Sequence, residues 1–205
     1  NRHALRRNMS NTYVYKAYGN LYINLTNKCS NSCDFCIRNG RDGLEGQPLW
    51  LTKEPCAEDV INQLPQDLHA YKEVVFCGFG EPTYKLQTML ETAKYLKKHG
   101  VTVRLNTNGH SDMINGRPTA PLMKGLIDKI NVSLNSDNAD DYDAICHSEY
   151  GKNAYNIMLD FARSAAAEGI YTILSVVDVI GEEKIENCRK IAEQLGVHFR
   201  VRQYE

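Results

Sequence analysis

No apolar run in this sequence is long enough to span a membrane, and its opening residues lack the layout of a secretion signal. A helical membrane protein is excluded on that ground, and the cytoplasm is the expected location. Charge of one sign is missing too: 24 basic and 25 acidic residues are interspersed to a formal −1. With no basic footprint, nucleic acid is not the expected partner. No low-complexity linker divides the 205 residues, so a single domain over 1–205 with a full core is expected. An initiator Met is also absent. Met9 is a candidate natural start, and residues 1–10 read as a flexible end or as residues foreign to the natural chain, so Arg2, Arg6 and Arg7 carry no weight. Paired cysteines are lacking as well. Seven is an odd number, in a chain too large for a small disulfide scaffold. Cys56, Cys77, Cys146 and Cys188 therefore read as reduced, partly buried thiols.

What is present is an alternation of strand-like and helix-like runs. Tyr13–Tyr18 and Leu21–Thr26 flank Gly19-Asn20 and predict a hairpin leading into the first core strand. Pro55 opens a helix carrying Val60, Ile61 and Leu64, which Pro65 shortens. Glu73–Cys77 is the second strand, and Thr83 caps a helix with an inward stripe of Leu86, Met89, Leu90, Ala93 and Leu96. Val101–Asn106 is the third strand, residues 110–120 read as loop, and a short helix covers Pro121–Asp128. Strands at Ile130–Asn135, Ile170–Val177 and Val197–Arg202 follow, with helices between them that stop at Gly169 and Gly196. Six strands joined by five helices in βα order predict parallel strands with helices outside. An open (β/α)6 partial barrel and a flavodoxin-like doubly wound sheet both satisfy this order.

The stretch Cys29-Ser-Asn-Ser-Cys33-Asp-Phe-Cys36 has the CxxxCxxC spacing that holds a [4Fe-4S] cluster by three thiolates. Electron-transfer clusters normally give each iron a cysteine, so three leave one iron open. A vacant metal position is where a substrate or cofactor binds. The plain alternative is a structural zinc knuckle, which needs a second Cys or His pair; the next are Cys56 and His69.

This loop resembles the radical SAM superfamily closely. The resemblance implies an open (β/α)6 partial TIM barrel behind the N-terminal β-hairpin, and S-adenosylmethionine chelating the open iron. Reductive cleavage of its C5′–S bond then yields a 5′-deoxyadenosyl radical. Low oxygen is implied with it. Phe35, just before the third cysteine, is expected against the adenine. Gly78-Phe-Gly80-Glu81-Pro82-Thr83, at the end of the second strand, resembles the family's GGEP turn, whose glycines let backbone approach the methionine amine. Glu81 would shape that turn and contact the amine, although Gly-Glu-Pro-Thr is also ordinary turn chemistry. Thr107 and Asn108 resemble the family's TNG element and would bind ribose or carboxylate oxygens, the other account being a turn built by Asn-Gly. Ser133 and Asn135 alternate with apolar neighbours and point to one face; in relatives such residues hold ribose or carboxylate. Val177 would present backbone to adenine, with Ser175 or Asp178 nearby, or this is simply a strand end with a solvated Asp.

Substrate residues are less legible. Cys146 and His147 are expected in a loop after the fourth strand, as a hydrogen donor or substrate contact, while Cys77 reads as a core thiol. Arg200 and Arg202 alternate on the last strand, where two arginines facing one cavity would suit a carboxylate or phosphate. Charges on an edge strand also need no function. With Leu21-Tyr-Ile-Asn-Leu-Thr-Asn-Lys-Cys29, Cys36-Ile-Arg-Asn-Gly40, Asp42-Gly43, Leu49-Trp50-Leu51 and Glu54-Pro55, the chain resembles over nearly its full length a compact radical SAM group associated with TatD-type hydrolases, which implies such a hydrolase as a possible associate and flavodoxin or ferredoxin as electron donor. The substrate is a small molecule or nucleotide, or else a macromolecule: a protein activated by a glycyl radical, or an RNA. A [4Fe-4S] electron carrier or sensor without S-adenosylmethionine is the non-enzyme alternative.

Overall fold

The computed structural model describes residues 11–204. The expectation for residues 1–10 therefore lies outside the described residues. Strands β1 (Val14–Ala17) and β2 (Asn20–Ile23) form the hairpin, antiparallel, with Ala17 opposite Asn20. Tyr18 and Gly19 make its turn with positive φ at both positions, the backbone that two-residue hairpin loops demand. The cysteine loop follows β2, then a small ribbon of β3 (Gly43–Leu44) and β4 (Gln47–Pro48). Gln47 closes the outer edge of β1: its side-chain amide donates to Lys16 O (2.9 Å) and accepts from Lys16 N (3.2 Å).

Helix α1 (Ala57–Gln63) is capped one residue later than Pro55, by a box between Cys56 and Asp59. Strand β5 (Val74–Phe76) leads through a 3-10 turn at Pro82–Lys85 to α2 (Leu86–Lys98). That turn is capped by the Glu81 carboxylate rather than by Thr83, because Thr83 N donates to Glu81 Oε1 (3.1 Å). Strand β6 (Val103–Thr107) is followed by α3 (Ser111–Asn115), inside the stretch expected as loop, and by α4 (Ala120–Met123). After β7 (Lys129–Ser133) comes α5 (Ala139–Cys146), also expected as loop. It starts at Asn138, whose side chain accepts from Asp141 N (2.9 Å) as an N-cap. Only Tyr142 and Cys146 of this helix are strongly apolar and buried, too few for a periodic stripe. Then come α6 (Asn153–Ala167), β8 (Tyr171–Val177), α7 (Glu182–Leu195) and β9 (His198–Arg202).

The main sheet has seven strands in the order β1-β2-β5-β6-β7-β8-β9, parallel from β2 onward. Every parallel strand lies beside its predecessor, so there is no reversal of strand order. A doubly wound sheet requires such a switch point, and the flavodoxin-like alternative is set aside. Right-handed crossovers in one direction put the helices on one face. Leu21, Ile23, Val74, Phe76, Val103 and Leu105 pack there in the main core. The alternate residues, among them Arg104, Asn106, Asn131 and Ser133, turn to the other face and line a cavity.

Candidate functional site

The cavity encloses about 830 Å³ and is walled by both ends of the sheet, with Tyr15 and Tyr22 on one side and Arg200 and Arg202 on the other. Cys29, Cys33 and Cys36 all stand in its wall. Three elements hold their loop. Its backbone is tied to the end of α5, where Ser32 N donates to Cys146 O (2.9 Å) and Asp34 N to Ile145 O (3.0 Å). These are terminal helix carbonyls with no partner within the helix, and the loop satisfies them. Arg38 reaches back under the loop and donates to Asn27 O (3.0 Å) and Phe79 O (3.2 Å), joining it to the glycine turn. The Asn27 side chain pairs with both backbone groups of Leu51, at 2.8 and 2.9 Å.

Beneath the loop lies a buried polar chain. Asn108 Nδ2 donates to Ser30 Oγ (2.8 Å), and Ser30 Oγ bonds His110 Nδ1 (2.9 Å). His110 Nε2 faces the carbonyl of Ala154 (3.2 Å), which can only accept, so the proton sits on Nε2 and Ser30 donates to Nδ1. Tyr142 Oη lies 3.3 Å from the same nitrogen and accepts from Asn31 Nδ2 (3.0 Å). Burial pushes the His110 pKa down to about 4, keeping the ring neutral.

The glycine turn is built for close approach. A Cβ on Gly78 would collide with the Asn24 side chain, and one on Gly80 with the carbonyls of Thr26 and Lys28. Glu81 is buried and spends Oε1 on Thr83 N (3.1 Å), Thr83 Oγ1 (2.8 Å) and Thr107 Oγ1 (2.9 Å). Its Oε2 accepts from Asn108 N (2.8 Å). Burial raises its pKa against the pull of these donors. One carboxylate thus ties the ends of β5 and β6 together, and Glu81 N bonds Lys28 O (2.7 Å) beside the cysteines.

Most residues expected at the site converge here. Phe35, Gly78, Gly80, Glu81, Thr107 and Asn108 line the cavity, and Ser133, Asn135 and Val177 do so from β7 and β8. Asn135 adopts positive φ (59°), and its Oδ1 is buried without a hydrogen-bond partner. Two residues stand behind the wall. Pro82 is buried in the 3-10 turn, and Ser175 is buried and accepts from Asn131 Nδ2 (3.0 Å). The Thr107 hydroxyl is committed to Glu81.

Cys146 and His147 do not meet their expectation as substrate contacts. Cys146 ends α5 fully buried, with its thiol receiving Asn135 Nδ2 (3.5 Å) and interacting with Cys33. His147 is the left-handed cap of that helix, half exposed, and its Nε2 pairs with Asp34 (2.7 Å) on the outside of the loop. Both are loop anchors. Arg38, Ser30, His110 and Tyr142 escaped the sequence reading. Their partners are 7 to 111 residues away, and no local pattern announces them.

The donor set fits an iron–sulfur cluster. Burial, then the charge of Glu81, pushes the Cys29 thiol up to about 12, and a hydrogen bond with Cys146 plus burial raises Cys33. Thiolates there need positive charge brought from outside, which iron supplies. Among the described residues no three His, Cys, Asp or Glu side chains converge on a single ion. A cubane distributes its cysteines over different irons. A profile of the radical SAM superfamily matches residues 23–195. The chain belongs to the radical SAM superfamily.

Radical SAM proteins bind a [4Fe-4S] cluster and S-adenosylmethionine, which are the cofactors of this chain. Membership in this enzyme family sets aside the electron-carrier alternative. The chain is 30% identical over 129 residues to a protein of Thermococcus kodakarensis named probable GTP 3′,8-cyclase. That match covers 60% of this chain but 38% of the relative, so the chain spans well under half the relative's length. Among solved structures, Streptococcus suis SuiB bound to S-adenosylmethionine superposes with a TM-score of 0.64 at 16% identity, over 90% of this chain and 38% of that one. A radical SAM methyltransferase from Sphaerobacter thermophilus gives 0.59 at 14% identity, over 93% of this chain and 68% of that one. At such identities the likeness is one of fold. No helix among the described residues is long and apolar enough to cross a membrane.

Proposed function

We propose that this cavity is the active site of a radical SAM enzyme in which Cys29, Cys33 and Cys36 hold the [4Fe-4S] cluster. The observation that carries the proposal is the meeting of these three thiols with the Gly78–Glu81 turn and the ends of β6 and β7 in one cavity wall. When bound, the reduced cluster and S-adenosylmethionine supply a 5′-deoxyadenosyl radical that abstracts hydrogen from a substrate. Phe35 would lie against the adenine and backbone at Val177 would address its edge, with Ser175 supporting Asn131 from behind. Gly78 and Gly80 would bring main chain to the methionine amine, and Glu81 Oε2, beside its bond from Asn108 N, would accept from it while Pro82 holds the turn. Asn135, whose unsatisfied Oδ1 is buried at the wall, would receive a ribose hydroxyl with Ser133, and Thr107 and Asn108 would keep the carboxylate side in register. The sheet is read as an open (β/α)6 partial barrel, supported by a cavity that touches both its first and last strands.

A small molecule or nucleotide is the better supported substrate class, since the cavity is of ligand size and the Thermococcus relative is named for a nucleotide. The finer assignments of the same reading are the TatD-associated group, a flavodoxin or ferredoxin as electron donor, a TatD-type hydrolase as associate, and the cytoplasm as location.

The test is anaerobic. Reconstituted, reduced protein is mixed with S-adenosylmethionine, and 5′-deoxyadenosine is followed by liquid chromatography beside the EPR spectrum of the cluster. Slow 5′-deoxyadenosine formation, lost in Cys29→Ala, Cys33→Ala and Cys36→Ala, is expected. An intact, reducible cluster that gives neither product nor spectral change would overturn the proposal.

A further inference from the structure

We propose that the concave face of β6, β7 and β9 is a subsite for a small anionic substrate, a carboxylate or phosphate compound that also carries hydroxyl or amine donors. This rests on the radical SAM reading of the same cavity and adds the chemistry of the molecule placed in it. Arg104 extends from the second position of β6 into the cavity wall and is 8% exposed. Its Nη2 pairs with Glu73 Oε1 (3.0 Å), but its Nε is buried with no hydrogen-bond partner. A buried N–H left unpaired is destabilising, and native structures hold few of them without a water or ligand to meet them.

The local charge is positive. Glu73 is shared between Arg104 and Lys129 (3.4 Å), so one carboxylate faces two cations. Glu81, the other carboxylate of the wall, is taken up by Thr83, Thr107 and Asn108 and, in the proposed complex, by the methionine amine. Across the cavity, Arg200 and Arg202 project from alternate positions of β9, in register with Ser175 and Val177, and both line the same space. The guanidinium fork matches carboxylate and phosphate oxygens in pairs.

A second set of groups asks for donors. Asn106 and Asn131 are register partners on β6 and β7, and the Oδ1 of each is buried without a partner. The Asn131 amide nitrogen is already fixed by Ser175, which orients its oxygen as an acceptor. Guanidiniums at two sides and two amide acceptors on the floor describe a ligand with an acidic group at one end and N–H or O–H groups along its body. A hydrocarbon or a cation would leave these groups unpaired or repelled.

The experiment is calorimetric titration of the reconstituted protein, with S-adenosylmethionine bound, at constant ionic strength. Inorganic pyrophosphate is the probe in one arm and citrate in the other. Saturable binding of at least one is expected, and the arm that responds tells phosphate from carboxylate. The double variant Arg200→Gln/Arg202→Gln should weaken that binding at least tenfold while matching the circular dichroism and iron content of the parent. Should the double variant lose its native spectrum, the single Arg200→Gln, at an exposed edge position, is expected to weaken binding at least threefold. Absence of binding to parent protein that still cleaves S-adenosylmethionine would overturn the subsite, as would equal binding by the folded variants. Parent protein with an intact, reducible cluster but no cleavage would instead overturn the radical SAM reading.

Discussion

Glu81 shapes the glycine turn and joins it to the end of β6. Its carboxylate gathers four hydrogen bonds from three residues, Thr83 in the 3-10 turn and Thr107 and Asn108 at the end of β6. In Glu81→Gln, a single oxygen remains to accept and an NH₂ group confronts donors. A loss of about 3 kcal/mol is expected in anaerobic denaturant unfolding, because donors buried beside it lose a charged partner. An unchanged midpoint would show that the turn does not depend on the carboxylate. His110 makes a pH prediction. Its pKa falls from 6.5 to about 4 on folding, through burial. Between those values the unfolded chain binds more protons than the folded one, so stability rises with pH across the window and is complete above it. Acidification from pH 7 to 4.5 should therefore cost on the order of 2–3 kcal/mol from this group. In His110→Gln that part of the slope should disappear; an identical slope would assign the pH dependence elsewhere.

At the scale of elements, the cysteine loop is held by parts that sequence periodicity does not reveal. Arg38 spans from the loop to Asn27 and Phe79 carbonyls, and Gly80 leaves room for the carbonyls of Thr26 and Lys28 to pass. Backbone cannot retreat as a flexible side chain would. Gly80→Ala is expected to keep the helical circular dichroism spectrum and to retain less than about half of the parent iron after desalting, since the loop would be pushed off the turn. Iron retention equal to the parent would show that the loop tolerates the displacement. The six core strands and five of the helices between them could be read from alternating patterns because each has a buried stripe. Helices α3 and α5 could not. They are short, and α5 buries only Tyr142 and Cys146 among its larger apolar side chains. Missing α5 is what made Cys146 and His147 look like residues of an open loop.

For the whole molecule, cofactor binding is coupled to stability. S-adenosylmethionine at a hundred times its dissociation constant should stabilise the cluster-loaded protein by about 2.7 kcal/mol. For a chain of this size that is a rise of about 5–10 °C in the unfolding midpoint, measured anaerobically. Cys33→Ala, which lacks a ligand for the cluster, should show no such rise. A rise of equal size in that variant would mean that the cluster takes no part in holding the cofactor.

The CxxxCxxC spacing, the glycine turn and the βα alternation were determined by the sequence alone, because each depends on residues close together along the chain. They are sufficient to name the chemistry. Tertiary structure decided what surrounds it. Only the sequential order of parallel strands brings β6, β7 and β9 into one concave wall, so that Arg104, Asn131 and Arg200 share a space although 96 positions separate the first from the last. Only folding shows that Thr107 and Glu81 are spent on one another while Asn106, Asn131 and Asn135 keep buried oxygens unsatisfied. Polar satisfaction depends on neighbours brought from distant elements, and those neighbours are a property of the packed molecule.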